Sequence, residues 1–129
     1  MRVDLNADVG ESYGAYVIGD DEALLASLTS ASIAAGFHAG DPRVLRRTIR
    51  LAHRYGVSVG AHPGFPDLAG FGRREMRLSP DEAEDLVLYQ IAAVAVRHCY
   101  VVNDVRHETE RRTRPMLQHT RTAATSRPS

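Results

Sequence analysis

The chain has 129 residues, 43% hydrophobic and 25% charged, with zero formal net charge, which is the mix of an ordinary globular domain long enough for one modest core. No apolar run approaches the roughly 20 residues that cross a bilayer, the N-terminus lacks a secretory h-region, and the single Cys99 excludes an intramolecular disulfide framework; a cytoplasmic protein with no membrane is expected. All 16 basic residues are arginine, which removes lysine chemistry, and the arginine-rich C-terminal stretch has neither interleaved aromatics nor a docking motif, so nucleic acid is not expected.

Residues 2–8 alternate, with Val3, Leu5 and Ala7 on one face and Asp4, Asn6 and Asp8 on the other. Period two predicts a strand. Three polar side chains on one face predict that this face looks into a pocket or lumen. Gly10 and Gly14 then loosen the chain, and Asp20, Asp21 and Glu22 open a short helix through about Leu28, their charges complementing its dipole.

The apolar run 31–36 predicts a second buried strand, ending in Phe37-His38-Ala39-Gly40-Asp41-Pro42. Asp41 followed by Pro42 marks a helix start, an N-cap oxygen before the residue best suited to the first helical position. That helix keeps Leu45, Thr48, Ile49, Ala52 and Tyr55 on one face and most of its arginines on the other, and Gly56 stops it. Residues 57–61 predict a third strand running into His62-Pro63-Gly64-Phe65-Pro66-Asp67, followed by a glycine loop with Gly70, Gly72, Arg73 and Arg74. Ser79-Pro80-Asp81-Glu82 is a capping box. The helix it opens is expected to bury Ala83, Leu86, Val87, Gln90, Ile91 and Val94.

Strand and helix alternate three times, which predicts parallel strands in an α/β fold, either doubly wound or part of a barrel. The character changes after about Val96. Tyr100-Val101-Val102 hints at a fourth strand without later support. Residues 103–129 hold six arginines against Asp104, Glu108 and Glu110 and few sizeable aliphatics, too little apolar area to offset the entropy of ordering. The expected division is a structured part over 1–98 and a disordered, Arg/Thr-rich tail over 99–129, at most weakly helical around 109–117.

Four clusters fall at predicted strand ends, where parallel α/β folds place their chemistry: Asp4, Asn6, Asp8 and Glu11; His38 with Asp41; His62; and Asp67, Arg73 and Arg74. Histidines and carboxylates at one rim hold a divalent metal or act as general acid and base, and an arginine in a glycine loop clamps a carboxylate or phosphate. Each also has a bland reading: Asp8 and Glu11 as loop caps, Asp41 as an N-cap, His38 and His62 as hydrogen-bonded loop histidines, and Arg73 and Arg74 as loop charges. His53 reads as a surface residue, and Cys99 has no partner. Spacing supports a hydrolase-like pocket and names no substrate.

The segments Val3-Asp4-Leu5-Asn6-Ala7-Asp8-Val9-Gly10-Glu11, Ala34-Ala35-Gly36-Phe37-His38-Ala39-Gly40-Asp41 and Gly60-Ala61-His62-Pro63-Gly64-Phe65-Pro66-Asp67 resemble successive motifs of the family of 5-oxoprolinase A subunits (the LamB/YcsF, lactam-utilisation family). Phe71-Gly72-Arg73-Arg74-Glu75-Met76 and Leu88-Tyr89-Gln90-Ile91 follow in the family's order. The resemblance implies a distorted β/α barrel related to the polysaccharide-deacetylase architecture, of which this chain holds about three βα units. It implies an enzyme that, with partner subunits B and C, opens the lactam of 5-oxo-L-proline to L-glutamate at the expense of ATP, with magnesium. In that picture ATP phosphorylates the amide oxygen and water attacks the activated ring. Carried onto this sequence, Asp8 and His62 become the acid/base pair, with Glu11 as a third catalytic group. Asp4, Asn6, His38, Asp41 and Arg73 become substrate-orienting groups, and Asp8, His38 and His62 the ligands of a bound divalent metal. The sequence departs from the family after the Tyr89-Gln90-Ile91 helix. The family's Lys-Pro-His-Gly segment is missing, and the Arg/Thr/Pro/Ala/Ser/His mixture in its place predicts a frameshift or truncation near residues 96–102. The competing expectations are a catalytically inactive fragment and a deacetylase-like, metal-dependent hydrolase.

Overall fold

A computed structural model describes the backbone of residues 1–123 and side chains through Arg106; the end of the expected tail, residues 124–129, lies outside the described residues. The elements run β1 (Asn6–Val9), α1 (Asp21–Leu25), β2 (Ser30–Ala34), α2 (Pro42–Tyr55), β3 (Ser58–His62) and α3 (Pro80–Ala123). The strands form one parallel sheet in the order β1-β2-β3, the mixed α/β arrangement that the alternation predicts.

Register gives the sheet two unlike faces. Ala7 pairs with Ala31 and Ala31 with Val59, and Val9 pairs with Ile33 and Ile33 with Ala61, so these rows share one face. That face is covered: Val9, Ala31 and Ile33 join Leu25, Leu45, Ile49, Ala52, Val57, Val94 and Val101 in the core. On the other face Ser30 pairs with Asn6 and Ser58, Ser32 with Asp8 and Gly60, and Ala34 with His62. This second face is polar, as the strand periodicity of residues 2–8 predicts, and is laced by hydroxyl and amide bonds. Asn6 Nδ2 donates to Ser30 Oγ at 2.7 Å, and Ser32 Oγ donates to Asn6 Oδ1 at 3.2 Å.

β1 begins later than the alternation suggests. Val3 and Leu5 are 70% and 53% exposed, because the helical cover ends with the Ala7 row and leaves their face bare. Periodicity registers which face a residue takes, not how far the cover extends.

α2 starts as expected. Asp41 Oδ1 accepts from the backbone N–H groups of Arg43 and Val44, both at 2.8 Å, and Pro42 takes the first helical position. Val44, Leu45, Thr48, Ile49 and Ala52 are buried; Tyr55, expected with them, is exposed at the helix end. Gly56 closes the helix in the left-handed conformation at φ 67°. α1 is shorter than expected, ending at Leu25, with Asp20 as its N-cap at 3.1 Å from Ala23 N.

α3 opens on the expected capping box: Glu82 N–H donates to Ser79 Oγ at 3.2 Å, and Ser79 N–H donates to Glu82 Oε2 at 2.8 Å. Gln90 and Val94 are buried and Ala83 and Leu86 half-buried, but Val87 and Ile91 are exposed. The buried stripe is narrower than the apolar one. The helix also runs on through the expected boundary at residue 98. Tyr100–Val102, the hint of a fourth strand, is helical, and α3 continues as far as Ala123. The physical reason is visible at Val101, which lies seven residues after Val94 on the same stripe, is buried in the core, and is joined by half-buried Val105. Arg50 of α2 also pairs with Asp104 at 2.6 Å. The stretch Pro80–Arg106 is long and apolar enough to span a bilayer by length and composition, a test that core-facing helices also pass; here Gln90, Val94 and Val101 face protein.

Asp41 also accepts from Gly14 N–H at 2.8 Å, so it ties the β1–α1 loop to α2. Asp41→Ala is expected to lower unfolding stability in denaturant by about 1–2 kcal/mol, with Asp41→Asn recovering most of it. An unchanged midpoint in the alanine variant would contradict the capping role.

Candidate functional site

The C-terminal ends of the three strands converge. β1 delivers Asp8, and after the Gly10 turn, Glu11. Gly10 is held at φ 72°, its N–H donating to Asp21 Oδ1 at 3.2 Å while Asp21 Oδ2 accepts from Thr48; this fastens the turn to α1 and α2. β2 feeds the loop Gly36-Phe37-His38-Ala39-Gly40, closed by a bond from Gly36 N–H to Ala39 O at 2.8 Å. Gly40, at φ 78°, sits where a Cβ would lie 2.7 Å from Gly10 O, so the first two strand ends approach this closely only because position 40 is glycine. β3 ends on His62.

His38 is 3% exposed. Its ring meets that of His62 edge-on, centroids 4.5 Å apart, and that of Phe71 at 5.4 Å. Gly64 and Gly72 back it so closely that a Cβ on Gly72 would fall 2.8 Å from His38 Cβ, and one on Gly64 would overlap the ring. Phe71 holds a left-handed φ of 55°, an uncommon conformation for an aromatic residue and one of the kind concentrated at functional sites. Both ring nitrogens of His38 are buried without a hydrogen-bond partner among the described residues, which is rare for buried polar atoms.

His62 Nε2 lies 3.6 Å from Asp8 Oδ2 and 3.9 Å from Glu11 Oε1. Glu11, His38 and His62 each offer a donor atom within 4.8 Å of the others; the third member is thus Glu11, where the sequence leads one to expect Asp8. Burial, then the charge of Asp8, pushes the Glu11 carboxyl above its ordinary value. Burial, then the neighbouring His62, pushes His38 down, so it favours the neutral imidazole. A cavity of about 370 Å³ opens beside them, lined by His38, His62, Phe65, Phe71, Arg73 and Leu86 among others, within the size range of small-molecule sites.

Of the remaining candidates, Arg73 lines this cavity, while Asp4, Asn6 and Asp41 are placed elsewhere. Asp4 precedes β1, at the opposite end of the sheet from the histidines, and accepts from Thr29 Oγ1 at 2.5 Å and Ser30 Oγ at 2.8 Å, bonds that lower its carboxyl. Asn6 belongs to the polar ladder. Asp41 spends its oxygens on backbone N–H groups, first that of Gly14, and these hold its carboxyl low. Arg74 is not free for ligand: it pairs with Asp67, its Nε 2.9 Å from Oδ1. Gln90 is the residue that sequence reasoning places only in the core. Its Oε1 accepts from Gly64 N–H at 2.8 Å, and its Nε2 donates to Gly64 O and Leu86 O, each at 2.9 Å. A buried amide on an otherwise apolar helical stripe is the signal for it.

Two expectations follow from this packing. Gly64→Ala forces a methyl group into the His38 ring and is expected to cost about 1–3 kcal/mol of stability and to shift the His38 ring resonances in an NMR spectrum; unperturbed His38 signals would show that the glycine backing is dispensable. Asp67 is held at about 2 against an ordinary 3.8, chiefly by Arg74. Its folded value is the lower one, so its stabilisation is complete above about pH 4 and is lost as pH falls toward about 2. Amide exchange at Gly70 and Arg74 is expected to quicken over that window, and Asp67→Asn to flatten the dependence.

Histidines and carboxylates gathered at the strand C-terminal ends of a parallel sheet, beside a cavity, stand where α/β folds place their ligand sites. A model of the LamB/YcsF family matches residues 3–107, and the chain belongs to that family. It is 63% identical over 94 residues to a protein from Bacillus licheniformis named as the A subunit of 5-oxoprolinase, covering 73% of this chain and 37% of that one. Proteins of the same name from Bacillus subtilis and Thermococcus onnurineus are 62% identical over 95 residues and 60% over 94, covering 74% and 73% of this chain and 37% of each relative. The crystal structure of a lactam utilization protein from Thermus thermophilus superposes with a TM-score of 0.73 at 57% identity, over 75% of this chain and 39% of that one. The chain thus spans little more than a third of the length of these relatives.

Proposed function

We propose that this chain supplies the strand-end rim of the A component of an ATP-dependent 5-oxoprolinase, acting with subunits B and C to convert 5-oxo-L-proline to L-glutamate in the cytoplasm. The relatives' shared name supports the substrate class. The observation that carries the chemistry is the gathering of Asp8, Glu11, His38 and His62 at the C-terminal ends of the strands, where His38 and His62 also line the cavity. The three βα units are read as part of a β/α barrel whose lumen the polar sheet face would line.

Opening a lactam requires water to add at the ring carbonyl carbon while the C–N bond breaks and the ring nitrogen takes a proton. Asp8 is half-exposed and 3.6 Å from His62; it takes the proton from water and returns it to the departing nitrogen. His62 lies beside Asp8 as the other member of the acid/base pair, with Glu11 3.9 Å from the same ring nitrogen. Arg73 has no ion pair among the described residues and lines the cavity, which suits the carboxylate of 5-oxoproline. Phe65, Phe71 and Leu86 give the ring an apolar bed. ATP would activate the amide by phosphorylating its oxygen; the water that opens the ring then leaves an acyl phosphate, which a second water hydrolyses to the carboxylate and free phosphate. One guanidinium does not make a triphosphate cradle, so binding of the nucleotide and its magnesium is proposed for the assembled complex rather than for this rim.

The chain mixed with partner subunits B and C from a relative is expected to release glutamate from 5-oxoproline only with ATP. Asp8→Asn is expected to lower kcat by about 10²–10⁴-fold. No glutamate from this chain, where a full-length relative turns over in the same mixture, rejects the activity for this chain and favours the inactive-fragment reading.

A further inference from the structure

The geometry points to a binding site for one divalent first-row metal ion of the zinc class, held by Glu11, His38 and His62. The three donor atoms lie within 4.8 Å of one another, and ligands about 2.0–2.2 Å from a tetrahedral zinc stand roughly 3.3–3.5 Å apart. Small side-chain rotations close that gap. The contacts already present do not satisfy these groups. His62 Nε2 stands 3.6 and 3.9 Å from the two carboxylates, beyond the 2.7–3.2 Å of a protein N–H···O bond.

His38 is the decisive residue. A structural histidine at 3% exposure is expected to donate one ring N–H and accept at the other nitrogen. Here neither nitrogen has a partner among the described residues, and an unsatisfied buried polar group costs free energy. The ring cannot retreat, because Gly64 and Gly72 press against it from behind. Gln90 fixes Gly64 through two hydrogen bonds, so an outer brace holds the ring in the way that supporting contacts orient the ligands of metal sites. A ligating nitrogen turned toward Glu11 and His62 relieves the burial cost.

Two imidazoles and a carboxylate suit zinc, cobalt or manganese better than calcium or magnesium, which prefer all-oxygen shells. Three protein ligands leave a position open toward the cavity, where a water or a carbonyl oxygen fits. Asp8 stands outside the set and remains the proton acceptor. The binding claim is independent of the 5-oxoproline reading; only its chemical use rests on it.

The test is metal titration of the full chain, stripped with a chelator and read without substrate. Zn²⁺ in equilibrium dialysis is expected to saturate at about one ion per chain, and Co²⁺ to develop the visible absorption of a low-coordinate N/O site. Glu11→Gln, which keeps size and shape, is expected to weaken Zn²⁺ binding at least tenfold, and His38→Ala to do the same or more. His53→Ala, on the exposed side of α2, is expected to change nothing. Circular dichroism of each variant separates lost ligands from lost fold. Binding that never saturates near one ion, or that is equal in the folded Glu11→Gln variant and the parent chain, overturns the proposal. Because the readout needs neither ATP nor partners, a failed turnover assay and a failed metal titration remain separate results.

Discussion

The geometry of the site turns on the pairing between Gln90 and Gly64. A side-chain amide carries a donor and an acceptor side by side, and Gln90 presents both to the N–H and C=O of one glycine, satisfying the loop after β3 as a neighbouring strand would. The amide is wholly buried, so these bonds are made where leaving them unmade is costly. Gly64 lies against the ring of His38, so the placement of α3 is passed through one amide and one glycine to the most buried histidine of the rim. Asp67 ties the far part of the same loop through Gly72 N–H, Gly70 N–H and Arg74, so Gln90 fixes the near end of the cavity wall and Asp67 the far end.

What was legible in the sequence is what depends on local chemistry. The caps at Asp41 and Ser79 and the C-terminal glycine at Gly56 are set by a few adjacent residues, and the chain folds accordingly; His62 is the last residue of β3 and His38 lies in the loop after β2. What was not legible depends on how far other elements reach. Val3 and Leu5 carry the right period for burial and are exposed, because no described helix extends over their row. Val87 and Ile91 lie on an apolar stripe that is wider than the surface it packs against. The composition break after Val96 suggested that order stops there, but an α-helix needs only an occasional anchor, and Val101 supplies one. Among the rim candidates, the motif-like run of Asp4, Asn6 and Asp8 concealed a simple fact of strand geometry. At about 3.3 Å per residue, Asp4 and Asp8 share a face but stand roughly 13 Å apart, so only Asp8 reaches the histidines.

The two faces of the sheet explain why the core is small and the site polar. Parallel sheets usually bury both faces, and their strands then read as continuous apolar runs. Here only the Ala7–Val9, Ala31–Ile33 and Val59–Ala61 rows are covered by helices. The opposite rows are Asn6, Ser30, Ser58 and Asp8, Ser32, Gly60, and the hydroxyls of Ser30 and Ser32 and the amide of Asn6 bond one another where no second helical layer covers them among the described residues. That self-satisfaction costs hydrophobic stabilisation but leaves a hydrated surface leading from the start of β1 to Asp8 and His62. A polar sheet face is a poor core and leads to the rim.

Assembly of the rim and completion of the sheet are therefore different matters. β1 and β3 are both edge strands among the described residues, and unpaired parallel edges call for a covering partner. The donor cluster does not wait on that cover. Glu11, His38 and His62 come from three consecutive strand ends, and the contacts that hold them come from residues between Gly10 and Gln90: Asp21 and Thr48 behind the first turn, Gly64 and Gly72 behind the ring, and Gln90 behind the glycine. Each contact lies inside the segment that the LamB/YcsF family model matches. The stability of the sheet can thus depend on other chains or on further strands, while the arrangement of the rim donors is set by these residues. Ligand binding at the rim is accordingly the property of this chain that most directly reports whether its first three βα units have folded as they do in their relatives.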